Sequence, residues 1–234
     1  MLQRNGVRVL PEIGAMTDLP AGSVLAVCRV HELHPDEGAV GVTAIDKRPI
    51  EGPVPVRPLG LYGDLQADRK NHGGLDQAIY AYAQEDADYW AAELGRDIQP
   101  GLFGENLRTR GIDTSGAVIG QRWRIGENVL LEVTSPRVPC ATFARRMGEP
   151  RWVKRFTEVG RIGSYMRVLR KGKLQAGDAI EIEYTPDHGI TVGKFFSNPT
   201  PADVHTLQEL HAAGELQLSA NYWPYFDRIL AREQ

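Results

Sequence analysis

The sequence predicts a mainly β protein, a mostly antiparallel barrel followed by a short helical subdomain. Three observations carry this. The 25 glycines and 15 prolines are spread through the 234 residues rather than gathered in one linker, as expected of short strands joined by tight turns. Segments of strand character dominate up to residue 196. After Phe196 the pattern changes to Leu207, Leu210, Leu216, Leu218, Ile229 and Leu230 behind Asn198-Pro-Thr-Pro. Strands first and helices second divide the chain into a barrel over 1–196 and a helical region over 197–234. Hydrophobic residues make up 42% and charged residues 24%, so the chain can bury a full core without disulfides or metals.

Taken in order, Ser23–His31 reads as a strand with Val24, Ala26, Cys28 and Val30 on one face. Val129–Thr134, Ser164–Leu169, Ala179–Tyr184 and Ile190–Phe195 also read as strands. Gly126-Glu-Asn-Val reads as a tight turn between two strands, and Arg167–Ile182 as two strands around a glycine-containing turn. Two helices interrupt them. Gln84–Leu94 places Ala87, Trp90, Ala91 and Leu94 on one face, with Gly95 as its stop. Pro150–Val159 has an early proline, Trp152, Val153 and Phe156 at helical spacing, and Gly160 after it. In the tail, Thr200 or Asp203 is placed to cap the first of two or three short helices. The tail is too short to fold alone and is expected to pack on the barrel or on a partner.

The net charge of −3 provides no global attraction to nucleic acid or to an anionic membrane, so any basic site is local. The N-terminal residues lack the apolar core of a signal peptide, and no apolar run nears the ~20 residues of a membrane span. Two cysteines, Cys28 and Cys140, make no disulfide framework and suit a reducing compartment. The expectation is a cytoplasmic protein without nucleic-acid or membrane partners. There is no phosphate-binding Gly-x-x-x-x-Gly-Lys loop, no dinucleotide fingerprint and no zinc motif. Two cysteines cannot hold a four-cysteine iron–sulfur cluster.

Chemistry is best placed at Thr134-Ser-Pro-Arg-Val-Pro-Cys140, where a strand ends and two prolines stiffen the exit. The thiol can face a cleft there, and nearby Arg137 would favour a thiolate, a soft metal ligand. The alternative is a buried cysteine acting as a small hydrophobe, which is the preferred reading for Cys28. Arg69-Lys-Asn-His-Gly-Gly-Leu-Asp76 is either an anion-cradling turn with His72 as a hydrogen-bonding group or an ordinary surface turn. Lys47 and Arg48 sit where they could meet a phosphate or merely be solvated. In Gly101-Leu-Phe-Gly-Glu-Asn-Leu, Asn106 either bonds a heterocycle or holds the turn. Arg161 either binds an anion or pairs with an acidic neighbour.

Taken together and in order, Lys47-Arg-Pro-Ile-Glu-Gly-Pro, Gly63-Asp-Leu-Gln-Ala-Asp, Asn71-His-Gly-Gly-Leu-Asp-Gln-Ala, Gly101-Leu-Phe-Gly-Glu-Asn-Leu, Pro136-Arg-Val-Pro-Cys, Arg161-Ile-Gly-Ser-Tyr-Met-Arg-Val and Gly177-Asp resemble the MOSC domain family. The helical tail resembles its YiiM-type bacterial branch. The resemblance implies a mostly antiparallel β-barrel that binds a molybdenum cofactor, a molybdenum on a pterin dithiolene. It makes Cys140 the metal ligand and catalytic centre. Pterin and phosphate contacts map onto Lys47, Arg48, Asn71, His72, Gly73, Asn106, Arg137 and Arg161, and His72 is a further catalytic candidate as a proton relay. The implied activity is reduction of N-hydroxylated bases or related compounds, with electrons from a separate electron-donor protein. One departure is Gln121, where the pattern leads us to expect an acidic residue after glycine. The pyridoxal-phosphate domain of full cofactor sulfurases cannot fit in this length. Three alternatives remain: a sulfur or cofactor carrier using a Cys140 persulfide, a cysteine hydrolase using Cys140 and His72, and a non-catalytic interaction domain.

Overall fold

The computed structural model describes residues 22–67 and 73–232. The strands are β1 (Ser23–Pro35), β2 (Val42–Ile50), β3 (Val54–Arg57), β4 (Gly60–Leu61), β5 (Ile79–Ala83), β6 (Leu107–Arg110), β7 (Arg122–Ile125), β8 (Val129–Pro136), β9 (Ser164–Arg170), β10 (Gly172–Leu174) and β11 (Ile180–Tyr184). The helices are α1 (Gln84–Leu94), α2 (Ala141–Met147), α3 (Trp152–Val159), α4 (Val192–Ser197), α5 (Pro201–Ala212) and α6 (Trp223–Leu230). Among the described residues, eight strands form one sheet in the order β11-β7-β8-β9-β5-β6-β1-β2, and β10-β3-β4 form a second, smaller one.

Neighbours in the large sheet run antiparallel except β5 and β6. A parallel pair needs a crossover, and α1 supplies it. The helix occupies the residues expected of it and ends on Gly95 in the left-handed conformation. The sheet as ordered is open, yet the start of edge strand β11 approaches β1, the strand next to the opposite edge. Val24 donates its N–H to Asp178, Gly177 to Val24, and Ile180 to Gly22.

Strand β5 separates two cores. Ile79 and Ala81 face the aliphatic core shared with Val27, Leu107, Trp123 and Leu131. Tyr80 and Tyr82, alternating with them, face an aromatic core built from Trp90, Phe103, Phe143, Trp152 and Phe156. Both faces of β5 are buried, as the period of two requires when helices cover the second face. Three glycine-ended helices, α1, α2 and α3, supply most of the aromatic core. That core supports the segment after Pro139.

The C-terminal helices join the aliphatic core through Val204, Leu207, Phe226 and Ile229. The Tyr222 hydroxyl donates to the Thr134 carbonyl at 2.9 Å, and Arg167 donates to the Gln217 carbonyl at 2.8 Å. The boundary drawn after residue 196 falls inside α4. Thr200 caps α5 and Asp203 completes a capping box. We expect Thr200→Ala to cost about 1 kcal/mol in urea unfolding, because two N–H groups and the Lys194–Asp203 pair depend on that corner.

Three expectations about elements need correction. Ile190–Phe195 is not a strand: Thr191 makes one isolated bridge with Val118 and then caps α4 by accepting from Lys194 N–H. A six-residue apolar run does not distinguish strand from buried helix. Arg167–Ile182 contributes three strands rather than two, because β10 leaves the large sheet to pair with β3. Strand β1 continues past His31 to Pro35, and its extension is largely exposed, so no hydrophobic alternation marked it. No helix among the described residues is long and apolar enough to cross a membrane.

Candidate functional site

A cleft of about 430 Å³ opens between the β1–β2 hairpin, the loop before β6 and the start of α2. Cys140, Arg137, Lys47 and Asn106 all line it. The volume lies in the range of small-molecule sites. Strand β8 ends at Pro136, and the chain then runs extended through Cys140, the residue before α2. Pro136 and Pro139 remove two backbone donors there. Cys140 is half-buried and packs against the aromatic core. Cys28 is fully buried in β1, and burial pushes its thiol far up, which agrees with its reading as a small hydrophobe.

Arg137 is the cation at the centre. It is 5% exposed, and its guanidinium carbon lies 3.6 Å from the Phe143 ring centroid. Its Nη1 has no hydrogen-bond partner among the described residues. The other two cations on the cleft are paired: Lys47 Nζ lies 2.6 Å from Asp64, and Arg145 lies 2.7 Å from Asp36. A buried guanidinium donor left open is costly unless an anion meets it. Tyr165 also lines the cleft, and burial, outweighing the nearby Arg137 charge, raises its hydroxyl above the ordinary value. It therefore keeps its proton at neutral pH.

Asn106 lines the cleft but spends its amide within the protein. Its Nδ2 donates to the Cys28 carbonyl and to Asp64, and its Oδ1 accepts from Tyr80 N–H. It holds the turn and ties β1 to β5. The glycines of its motif serve the same turn. Gly101 sits at φ +88°, and a Cβ there would lie 2.3 Å from the Lys47 carbonyl oxygen, so only glycine lets the loop close on β2.

Arg48 and Arg161 do not line this cleft. Arg48 is exposed and pairs with Asp46 at 3.1 Å. Arg161 donates to Asp86 at 2.5 Å and stacks over Tyr89 near α1. Gly73 is described and lies outside the cleft lining. Asn71 and His72 lie outside the described residues.

The MOSC domain model matches residues 68–181. YflK of Bacillus subtilis is 35% identical over 150 residues, spanning 64% of this chain and 67% of that protein. The chain belongs to the MOSC domain family. Another relative is a protein of Gibberella moniliformis named as a reductase, 36% identical, matched over 64% of this chain and 28% of that one. YiiM of Escherichia coli is 34% identical, matched over 60% of this chain and 63% of that one. The crystal structure of YiiM from Geobacillus stearothermophilus has the same fold, with a TM-score of 0.70 at 24% identity, covering 89% of this chain and 99% of that one. The chain thus spans little over a quarter of the Gibberella protein and just under two thirds of YiiM from Escherichia coli.

In this MOSC protein two aspartates around the cleft, Asp64 and Asp46, were not singled out from the sequence, and Gln121 was noted only as a departure. Asp64 organises the floor: it accepts from Lys47, Asn106 and Val30 N–H. Gln121, the departure from the pattern, accepts from Trp123 Nε1 and donates to Thr185. Its amide supplies both a donor and an acceptor. Asp46 is 1% exposed and ties β2 to α2 through Arg146 at 2.6 Å. Burial works to raise its carboxyl, but hydrogen bonds from His34, Arg48 and Arg146 outweigh that and hold it below the ordinary value. Such a group stabilises the fold fully above an unfolded carboxyl value of about 3.9 and loses that contribution as pH falls through the lower folded value. We expect Asp46→Asn to remove part of the acid limb of stability. Urea unfolding of both proteins between neutral pH and about pH 3 checks this, and parallel curves would refute it.

The residues fit the cofactor that the MOSC family implies. Among the described residues, no group of three or more His, Cys, Asp or Glu could hold a metal by itself. The fit rests instead on Cys140 as a soft donor and on the open Nη1 of buried Arg137, both on the same cleft.

Proposed function

We propose that this MOSC protein is a molybdenum cofactor-binding oxidoreductase that reduces N-hydroxylated bases or related compounds, with electrons supplied by a separate protein. The observation that carries this is the shared cleft of Cys140 and Arg137, a soft donor beside a buried guanidinium with an open donor. The cofactor supplies the two-electron chemistry when bound. Cys140 would donate its thiolate to the metal. Arg137 would meet an anionic group of the cofactor through Nη1. Lys47 would do so with the donors that Asp64 does not take. Tyr165 holds a proton on its hydroxyl at the same wall. Overall, the N–O bond breaks, two electrons and two protons are consumed, and the products are an N–H compound and water. The roles implied for Asn71 and His72 stay part of this reading, whereas Arg48, Gly73 and Arg161 lie outside the cleft lining and are given none in it. Closure of the sheet into a barrel also stays part of it, favoured by the backbone bonds between Gly22–Val24 and Gly177–Ile180.

The experiment is metal, pterin and mass analysis of the protein from a host that loads other molybdenum enzymes. Near-stoichiometric molybdenum and pterin, with turnover of an N-hydroxylated base under an artificial reductant, is the expected result. Metal-free protein bearing a persulfide on Cys140 would overturn it in favour of a sulfur carrier.

A further inference from the structure

We propose that the tip of the β1–β2 hairpin is a latch on the Cys140 cleft, and that Asp36 is the access-determining residue that holds it to α2. This deepens the proposed site. It requires Cys140 to be the reactive centre of the cleft but not that molybdenum be bound there.

The hairpin residues 36–45 form one wall of the cleft, and α2 forms the facing edge. Asp36 joins them. Its Oδ1 accepts from Arg145 Nε at 2.9 Å, and its Oδ2 from Arg145 Nη2 at 2.7 Å and Thr142 Oγ1 at 2.9 Å. Gly38 N–H adds a fourth bond at 3.0 Å. Arg145 and Thr142 both lie on the helix that begins directly after Cys140. The adjacent Arg146 makes a second clasp to the same hairpin through Asp46.

The two clasps differ in depth. Asp46 is buried and fixes the base of the hairpin. Compared pair for pair, Arg145 and Asp36 at the rim are 37% and 8% exposed, against 26% and 1% for Arg146 and Asp46, so the rim clasp is the more exposed by a modest margin. The more exposed an ion pair, the more readily it opens, so the rim clasp opens before the one at the base. The register of β1 against β2 slips between Val30 and Glu32 and again between Glu32 and His34. Such irregularities bend a strand and interrupt its ladder, so the outer hairpin can swing while its base stays held. Leu33 and Val40, each 45% exposed, do not anchor it to a core. Small molecules then reach Cys140 with the latch closed, and bulky ones only with it open.

The test is thiol labelling of the full chain, made in a host lacking the pterin cofactor and read by peptide mass spectrometry. Iodoacetamide is the small probe and a fluorophore-bearing maleimide the bulky one. Buried Cys28 reports global unfolding. In Asp36→Ala and in Arg145→Ala, maleimide labelling of Cys140 rises about tenfold while iodoacetamide labelling stays within about twofold. The double variant labels no faster than Asp36→Ala alone, because that substitution already removes the bonds from both Arg145 and Thr142. An unchanged maleimide rate overturns the proposal, as does wild-type Cys140 inert to iodoacetamide. Should Cys28 label in step in the single variants, the charge-swapped pair Asp36→Arg with Arg145→Asp decides: wild-type size selectivity supports the latch, and fast maleimide labelling overturns it. Molybdenum content does not enter the readout, so the proposed reductase can fail while the latch stands.

Discussion

Replacing Cys140 by alanine is expected to abolish molybdenum retention and reductase activity together, in protein made by cells that synthesise the cofactor. The two losses are coupled because Cys140 is the soft donor on the cleft. The other thiol, Cys28, is sealed in β1. The substitution removes one sulfur from a half-buried side chain, so the fold should change in stability by no more than about 1 kcal/mol. Unchanged urea unfolding beside lost metal separates a ligand role from a structural one. Arg137→Ala should behave differently. It removes a positive charge that faces an anion in the proposal, so it weakens cofactor retention but leaves the metal donor in place. It also removes the stack on Phe143 and so carries a stability cost. Full molybdenum and activity in Cys140→Ala would end the proposal.

Much of the fold was readable because burial is one-sided or complete. Gln84–Leu94 shows helical spacing and a glycine stop, and it is a helix over those residues. Strands β8, β9 and β11 lie within a residue or two of expectation. Gly126 makes the turn between β7 and β8 in the left-handed conformation. Helix α2 was missed because it is short, and its apolar residues Phe143 and Met147 are separated by two arginines with partners on the hairpin. Which strand meets which is a tertiary fact. The parallel β5–β6 contact within an antiparallel sheet was not visible in either strand's pattern.

The site was legible at its centre and less so around it. Pro-Arg-Val-Pro-Cys placed Cys140 and Arg137 together because rigid, adjacent residues cannot separate far in space. Lys47 reaches the same cleft from β2. Arg48, its neighbour, points elsewhere, since successive strand residues face opposite sides. Asp64 sat in a family-like motif without a role assigned to it, Asp36 and Asp46 were given none either, and only the folded chain shows that each carboxylate joins distant segments. Asn106 shows the opposite case: its motif was visible, but its amide turned out to be committed to the scaffold.

Arg108→Met is expected to be among the most destabilising single substitutions, costing about 3–5 kcal/mol in chemical unfolding. Arg108 and Glu105 are both fully buried and lie 2.5 Å apart. Every donor of the guanidinium is used: Nε and Nη2 on Glu105, Nη1 on Gln84 and the Ile98 carbonyl, and Nη2 on the Gln99 carbonyl. Removing it strands an anion in the interior. Replacing a buried pair by apolar residues is often neutral, which on charge alone predicts that Glu105→Leu with Arg108→Met restores stability. Here it should not. Glu105 also accepts the N–H groups of Gly101 and Phe103, and each orphaned donor costs about 1–3 kcal/mol. Those bonds hold the loop that brings Phe103, Gly104 and Asn106 to the cleft. The double variant should therefore stay destabilised and lose cofactor retention as well. Recovery to wild-type stability would mean that the pair only balances charge and does not shape the loop.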